Sequence, residues 1–345
     1  MKEEGIVVSK SVIQTNAKIY RDLLKEYIHT QDEKSLYQAD QVIKSLIKNK
    51  IPPEEIVNIH FQALLDLYPN LNEEFRHSSN FLIETMISYG IAHQEFQTLR
   101  EEQLKIKSEM SVAASMQQTF LKSSKPDVKG LDVGVISVPA RQLNGDYYHF
   151  TNDDNRVIGI AIADVVGKGI PAALCMSMVK YSMESLPESV MSPRSILKNL
   201  NRVVERNVES NMFVTMFYAQ YFPADSKLRY SSAGHEPGFY YDSKKQVFKE
   251  IQTKGLVLGV LPESTYEQYE MYVDEGDMII LLTDGVTECR EDDRFIETDE
   301  VLDIIKQYQH LPAQELVEQV FRHFENLQDF QLRDDFTLIV LKKEV

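Results

Sequence analysis

The chain has 345 residues, a formal net charge of −16 and an apolar share of 43%. Its length is enough for about two domains, and so acidic a chain is a poor partner for nucleic-acid phosphates or an anionic membrane surface. No stretch approaches the ~20 apolar residues that span a bilayer, and the first ten residues lack a signal-peptide pattern. Neither Cys175 nor Cys289 has CxxC spacing, which argues against a zinc site or a disulfide framework and favours a reducing cytoplasm.

The first third of the chain is predicted to be helical throughout. Apolar residues repeat with helical spacing over residues 16–30 and 35–50, and Pro53 followed by two glutamates is a strong helix start. A fourth helix is predicted from about residue 72 to residue 121. Four helices with short connections predict a bundle over residues 1–98. The apolar faces of its first two helices favour a twofold dimer.

A heptad repeat crosses the end of the fourth helix, in a linker predicted over residues 99–122. Apolar side chains recur there at every seventh position: Leu99, Ile106, Ala113 and Phe120. Seven residues is the period of a coiled coil. Glu102 and Glu109 stand where the second apolar row belongs, so pairing with a second copy is predicted to be weak and open to switching. The alternative is a helix that simply packs on its own catalytic domain.

The proline and the glycine of residues 123–130 end the helix and open a second domain, predicted over residues 123–345. Strands are predicted at 131–138, 156–163, 213–222, 227–233, 277–282 and 335–342. Helices are predicted at 170–187, 194–209, 299–309 and 313–326. The long paired strands indicate two sheets stacked face to face with helices outside, an α+β fold.

Acidic motifs follow or interrupt several of the predicted strands. They are Asp146 in NGDYY, Asp164 in ADVVGKG, Asp284 in TDGVTE, and Asp334 with Asp335 in RDDFT. A carboxylate at the end of a buried strand is unfavourable unless a positive charge compensates it. Hard divalent cations with oxygen ligands supply that compensation. Capping carboxylates in turns would explain any one motif, but the recurrence favours a two-metal hydrolytic centre.

In order and spacing, these motifs resemble the metal-dependent protein phosphatases (PPM, type 2C), in particular their bacterial SpoIIE-like branch. The resemblance covers residues 127–345 and rests on NGDYYHF, ADVVGKGIPAAL, SSAGHEP, TDGVTE and RDDFT. The helical part is similar to the partner-binding domain of the RsbU family in IPPEEI, HSSNFLIE and YGIAHQEFQTLR. The resemblance implies a PPM-type β-sandwich that hydrolyses phosphoserine.

The resemblance also implies a role for each matching residue. Asp146 would bridge two Mn²⁺ or Mg²⁺ ions. Asp164 and the main-chain carbonyl of Val165 would hold one ion, and Asp284 with Asp334 the other. A water shared by the two metals has a lowered pKa, so it can attack phosphorus at neutral pH without a covalent phosphoenzyme.

Four further positions carry narrower expectations. Asp335 is the alternative to Asp334 as a ligand. Arg141 is either a substrate-phosphate ligand, as the corresponding arginine is in eukaryotic members, or a solvated surface residue. Lys168 stands where the branch usually has histidine, so no general acid is assigned. His235 is expected to stabilise its turn rather than bind metal.

The RsbU resemblance implies partners as well. An RsbT-like switch kinase would activate the enzyme by binding near Tyr89, Gln94 and Arg100. The substrate would be a phosphorylated RsbV-like STAS protein, an anti-anti-sigma factor of the sigma-B general stress response. Two alternatives remain at this point: a phosphoprotein-binding scaffold that does not hydrolyse, and a phosphatase that senses a small ligand in its helical bundle.

Overall fold

The computed structural model describes residues 2–344 except 50, 155, 168, 188, 209, 210, 252, 253, 292, 293, 329 and 331. Side chains of residues 2–12 and 291 are also outside the description, and so is Lys168. The chain divides into two compact units, the first ending at Lys107 and the second beginning at Ser108. No helix of the described residues is long and apolar enough to cross a membrane.

The first unit contains the predicted helices. They are α1 (Lys2–Thr30), α2 (Glu33–Lys48), α3 (Pro53–Leu67) and the first part of α4 (Glu73–Leu121). Asp32 caps α2 by accepting a hydrogen bond from the Lys34 N–H at 3.1 Å, and Pro53 opens α3 as predicted. The unit has a small core built around Val42, Leu46, Ile51 and Ile59.

Part of the predicted apolar surface of the first two helices stays exposed. Leu36 is 50% exposed and Ile47 is 62% exposed on α2, and Ile19 is 46% exposed on α1. Leu23 of α1 packs against the core as the helical spacing predicts, and Tyr20 packs there as well. The packing face of α1 therefore agrees with the sequence prediction in part.

The end of α4 belongs to the second unit and packs on it with one face. Ala114 and Gln117 are buried, and Met110 and Leu121 pack beside them at helical spacing. The heptad positions lie on a different face and are exposed: Leu99, Ile106, Ala113 and Phe120. The helix thus packs on its own catalytic unit and still leaves the predicted seam open.

The second unit is built on two antiparallel five-stranded sheets. One has the order β1-β12-β9-β6-β7 and the other β2-β3-β4-β5-β8. The strands of the two sheets are β1 (Leu131–Val138), β2 (Asp146–Asp153), β3 (Val157–Val166), β4 (Phe213–Phe222), β5 (Lys227–Ala233), β6 (Gly238–Asp242), β7 (Val247–Ile251), β8 (Tyr269–Tyr272), β9 (Met278–Leu282) and β12 (Phe336–Lys343). A small hairpin, β10 (Arg290–Glu291) and β11 (Arg294–Phe295), stands apart.

The sheets face one another across an apolar core, and helices cover their outer faces. Ile160 and Phe217 of one sheet meet Leu281 and Ile339 of the other in that core. The outer helices are α5 (Ile170–Ser185), α6 (Pro193–Asn207), α8 (Thr298–Gln307) and α9 (Ala313–Leu327), and the short α7 (Asp284–Thr287) follows β9. The α+β prediction of stacked sheets flanked by helices is confirmed.

Candidate active site

The strand order brings the predicted acids to one edge of the sandwich. Asp146 begins β2 and lies directly opposite Asp164, near the end of the antiparallel β3. In the other sheet, β9 ends beside the start of β12, so Asp284 and Asp334 leave adjacent strand ends. Antiparallel pairing therefore explains how motifs almost 190 residues apart meet.

Asp146 is 2% exposed and joins the two sheets. Its Oδ2 accepts hydrogen bonds from Thr283 Oγ1 at 2.8 Å and Thr337 Oγ1 at 2.6 Å. Burial and the charge of Asp164 nevertheless hold the pKa of Asp146 well above its usual range, against the lowering effect of the two hydroxyls. This carboxylate is a charge that its own protein environment leaves poorly compensated.

The neighbouring carboxyls are perturbed in the same direction. Burial, followed by the charges of Asp284 and Asp334, raises the pKa of Asp164 to about 7. Burial and the charge of Asp334 raise the pKa of Asp284 to about 6. Like charges that disfavour one another's ionisation must lie close together. Among the described residues, no three histidine, cysteine, aspartate or glutamate side chains are already arranged to hold a metal ion. The charges of the cleft carboxylates nevertheless act on one another.

Asp335 differs from the other acids because both its oxygens are engaged by the backbone. Its Oδ1 accepts from the Ala140 N–H at 2.7 Å, and its Oδ2 accepts from the Gly145 N–H at 2.5 Å. This carboxylate therefore holds the loop that leads into Asp146. Asp334, by contrast, accepts a hydrogen bond from the Asp335 N–H at 2.9 Å through its Oδ1.

Two glycines let the backbone approach these carboxylates. A Cβ on Gly145 would lie 3.3 Å from Asp335 Oδ2, 3.6 Å from Asp164 Oδ1 and 3.8 Å from the carbonyl oxygen of Val165. A Cβ on Gly285 would come within 1.9 Å of the Asp335 carbonyl oxygen. The glycine of each motif thus makes room for the acids around it.

A cleft of about 170 Å³ is lined by Asp335 and by three of the four predicted ligand acids, and the buried Asp146 is not one of its lining residues. Asp164, Val165, Asp284 and Asp334 line it, and Arg141 and Arg333 are its cationic lining residues. Both arginine side chains are exposed. The cleft therefore combines acidic lining residues with two exposed arginines, a set of charges that metal cations and a phosphate monoester together would satisfy.

His235 is connected to the site through Thr215 of β4. It is 7% exposed, and its Nδ1 lies 2.9 Å from Thr215 Oγ1. That hydroxyl also donates to the Asp164 carbonyl oxygen at 3.4 Å. Burial lowers the pKa of His235 to about 4, so the ring is neutral at pH 7. These contacts agree with a stabilising role rather than a place in the cleft.

The end of α4 reaches the same loop through Gln117. Its Nε2 donates to the Asn144 carbonyl at 2.8 Å, and its Oε1 accepts from the Asn144 N–H at 2.9 Å. The Asn144 side chain in turn accepts from the Asp146 N–H at 2.9 Å. The linker helix is therefore two hydrogen-bonded steps from Asp146.

The predicted partner-binding residues lie in the first unit. Tyr89, Gln94 and Arg100 are exposed on α4, and the Tyr89 ring stacks on His93 at 5.8 Å between centroids. Sequence reasoning missed Thr283, Thr337 and the contact of Gln117. The two threonines stood inside the TDGVTE and RDDFT motifs, so a stricter reading of those motifs would have found them.

Comparison with known proteins defines the class of this fold. The SiaA-PP2C domain of Pseudomonas aeruginosa superposes with a TM-score of 0.61 at 18% identity, covering 71% of this chain and 98% of that domain. The structure of the RsbU and RsbW domains of Rv1364c from Mycobacterium tuberculosis gives 0.56 at 21% identity, covering 64% and 63%. At such identities the likeness shows the fold, which is that of the PP2C-type phosphatases.

Sequence comparison is more specific. Residues 154–344 match the stage II sporulation protein E (SpoIIE) family, and residues 18–92 match the N-terminal domain of phosphoserine phosphatase RsbU. The phosphoserine phosphatase RsbU of Bacillus subtilis is 53% identical over 94% of this chain and 97% of its own length. The chain belongs to the RsbU family of SpoIIE-type serine phosphatases, and it is a phosphoserine phosphatase.

Proposed function

We propose that this phosphatase acts on the phosphoserine of an RsbV-like STAS protein, an anti-anti-sigma factor, and so activates the sigma-B general stress response. The observation that carries the proposal is the 53% identity with an RsbU phosphatase over both units of the chain. An enzyme that shared only the phosphatase fold would not need to share the helical unit as well.

The cleft supports a divalent-metal cofactor of two Mn²⁺ or Mg²⁺ ions. Its donors are carboxylate and carbonyl oxygens, the ligands that hard cations prefer. Asp146 would bridge the ions, Asp164 and the Val165 carbonyl would hold one, and Asp284 with Asp334 would hold the other. Burial and like-charge repulsion raise the pKa values of Asp164 and Asp284, and this supports the assignment because bound cations would compensate those buried charges.

Asp334 is preferred to Asp335 as the ligand because of their different contacts. Both carboxylate oxygens of Asp335 accept hydrogen bonds from backbone N–H groups, those of Ala140 and Gly145. If Asp335 bound a metal ion, it would have to give up these hydrogen bonds to the loop. We therefore assign Asp335 a positioning role and Asp334 the metal.

Divalent ions held by these oxygen ligands would supply Lewis-acid stabilisation of phosphoryl oxygens and lower the pKa of bound water. The chain itself would contribute Arg141, an exposed residue that lines the cleft, to bind the non-reacting phosphate oxygens. Neither cysteine competes as a nucleophile, because burial raises the pKa of Cys175 to about 11 and that of Cys289 to about 12. Direct attack by water agrees with these contacts.

Regulation is proposed to act through the helical unit, with the enzyme working in the cytoplasm. An RsbT-like switch kinase would bind the exposed residues Tyr89, Gln94 and Arg100 of α4. A homodimer would bury the apolar side chains that α2 leaves open, Leu36 and Ile47. Partner binding would then favour pairing of the two exposed seams as a coiled coil.

Reconstitution tests this function. The full chain, Mn²⁺ and a serine-phosphorylated RsbV-like protein are combined with and without the RsbT-like protein, and phosphate release is measured. We expect the kinase partner to raise turnover, and sedimentation of the Leu36→Lys, Ile47→Lys variant to give monomers where the parent gives dimers. Release that is absent for the phosphoprotein yet present for a small aryl phosphate would overturn the substrate assignment.

A further inference from the structure

The outer face of α6 carries four cations in a row. Arg194, Lys198, Arg202 and Arg206 follow one another at four-residue spacing, and all four side chains are exposed. Residues four apart on a helix share a side, and three such steps span about 18 Å. We call this row the α6 strip.

The cations of the α6 strip form no ion pair in the part of the chain that the structure describes, although the chain as a whole carries a net charge of −16. Glu205 is the one acidic residue of α6, and it is half-buried. A basic row on so acidic a protein marks the place where an acidic partner can approach without repulsion.

One end of the α6 strip lies at the edge of the sheet that carries the catalytic cleft. In the last turn of α6, Val204 packs so closely on Gly259 that a Cβ there would come within 2.7 Å of its Cγ1. The neighbouring Leu258 exchanges backbone hydrogen bonds of 2.8 and 3.1 Å with Val214. Val214 is paired with Val165, which lines the cleft. Packing and strand pairing thus connect the end of the strip to the cleft wall.

A groove follows the same helix. It has a volume of about 310 Å³ and lies between the end of α5 and α6, where Ser182 and Ser185 stand on one side and Arg202 and Arg206 on the other. Polar side chains and two guanidinium groups suit carboxylates, since each arginine can bind a carboxylate in a bidentate manner.

We propose that the α6 strip is a docking surface for an acidic segment of the phosphoprotein substrate, distinct from the cleft that binds the phosphoserine. The proposal rests on the protein-phosphatase function above. The strip orients an acidic protein that the rest of the enzyme repels, and it raises the rate of productive encounter near the cleft. Recognition then depends on the folded substrate and not on the phosphoserine alone.

Charge reversal tests the proposal in the full-length enzyme. Arg202→Glu with Arg206→Glu should raise KM for the phosphorylated RsbV-like protein roughly 2- to 30-fold, the range that two exposed ion pairs span, and leave its kcat unchanged. Turnover of para-nitrophenyl phosphate, which is too small to reach the strip, should match the parent. The salt dependence of kcat/KM for the phosphoprotein should flatten in the variant.

Arg322→Glu is the matched control, because Arg322 is an exposed cation on α9, the helix that covers the other sheet. It should leave KM for the phosphoprotein unchanged. An unchanged KM in the double variant would overturn the proposal, as would an equal effect of Arg322→Glu. A parent enzyme that releases no phosphate from the phosphoprotein would instead count against the proposed substrate. If the double variant loses the dimer in sedimentation while KM is unchanged, the strip binds a second copy of the chain and our assignment is contradicted. If it loses binding to anionic vesicles while KM is unchanged, the strip binds a membrane, which also contradicts our assignment.

Discussion

Gln117, on the end of the linker helix, binds both backbone polar atoms of Asn144, at 2.8 and 2.9 Å. Asn144 accepts from the N–H of Asp146 through its own side chain. A movement of the helix along its axis therefore displaces the backbone that positions Asp146. This relationship gives the linker a physical route to the candidate metal ligands.

The Gln117 contact predicts a metal-affinity effect. Gln117→Ala removes two hydrogen bonds, each worth about 0.5–1.5 kcal/mol, and frees the loop before Asp146. We expect the Mn²⁺ concentration for half-maximal turnover to rise severalfold, measured by titrating the metal at saturating para-nitrophenyl phosphate. Gln118→Ala, at the exposed neighbouring position, is the control. Equal metal requirements in the two variants would show that the contact is only structural.

Asp334 and Asp335 should respond differently to removal of their charge. Asp335→Asn replaces one of two acceptors with a donor that faces a backbone N–H, so the metal-free protein should lose about 1–3 kcal/mol of unfolding free energy. Asp334→Asn should leave that stability unchanged or slightly higher and should weaken Mn²⁺ binding. Urea unfolding without metal and calorimetric Mn²⁺ titration measure the two effects. Equal stability of both variants would contradict the assignment.

The raised pKa values predict competition between protons and metal. Asp164 has a pKa of about 7 and Asp284 of about 6, both above the ~3.9 of an exposed aspartate. The metal-free fold therefore holds protons that the unfolded chain releases, and these groups destabilise it as pH rises from about 4 to about 7. Because cations bind the charged forms, Mn²⁺ affinity should fall roughly tenfold between pH 8 and pH 6.

Calorimetric Mn²⁺ titrations at pH 6, 7 and 8 measure this competition. Asp164→Asn is the control for the protein without metal, since it removes a group whose pKa burial raises to about 7 and should flatten the fall in melting temperature with rising pH. An Mn²⁺ affinity that is the same at pH 6 and pH 8 would contradict the assignment of these acids as ligands.

Features that depend on neighbouring residues could be predicted from the sequence, and features that depend on residues far apart in the chain could not. The strand-end acids were found from local patterns, because a carboxylate beside an apolar run stands out in any short window. Local patterns could not identify the hydrogen-bond donors to Asp146, because Thr283 and Thr337 are 137 and 191 residues away from it. The strands β2, β6, β7 and β8 were missed because their apolar runs are short or interrupted by polar residues.

The face of the linker helix shows the same limit. Sequence periodicity predicted the heptad seam, and its side chains are exposed. It did not predict the second face, on which Ala114 and Gln117 are buried. That face matches no apolar repeat because its central residue is a glutamine, and only the loop around Asn144 explains why a glutamine is there.

The exposed seam predicts activation by stronger pairing. Glu102→Leu with Glu109→Leu removes the two charges that oppose a coiled coil, and pairing would move the helix that holds the Asn144 loop. Partner-independent phosphate release should rise, and the Mn²⁺ requirement should fall with it. Glu101→Leu with Ser108→Leu places the same apolar residues off the seam as a control. Variants that crosslink efficiently but remain as inactive as the parent would make the linker a passive tether.

Metal-dependent hydrolysis at the four-carboxylate cleft is tested most directly by phosphate release across a Mn²⁺ titration. The parent is compared with Asp146→Ala and Asp284→Ala, and near-ultraviolet circular dichroism confirms that each variant is folded. We expect saturable, Mn²⁺-dependent release by the parent and none by either variant, whose metal-free stability should equal or slightly exceed that of the parent because like-charge repulsion is relieved. Full activity of either folded variant at the Mn²⁺ concentration that saturates the parent would contradict this expectation.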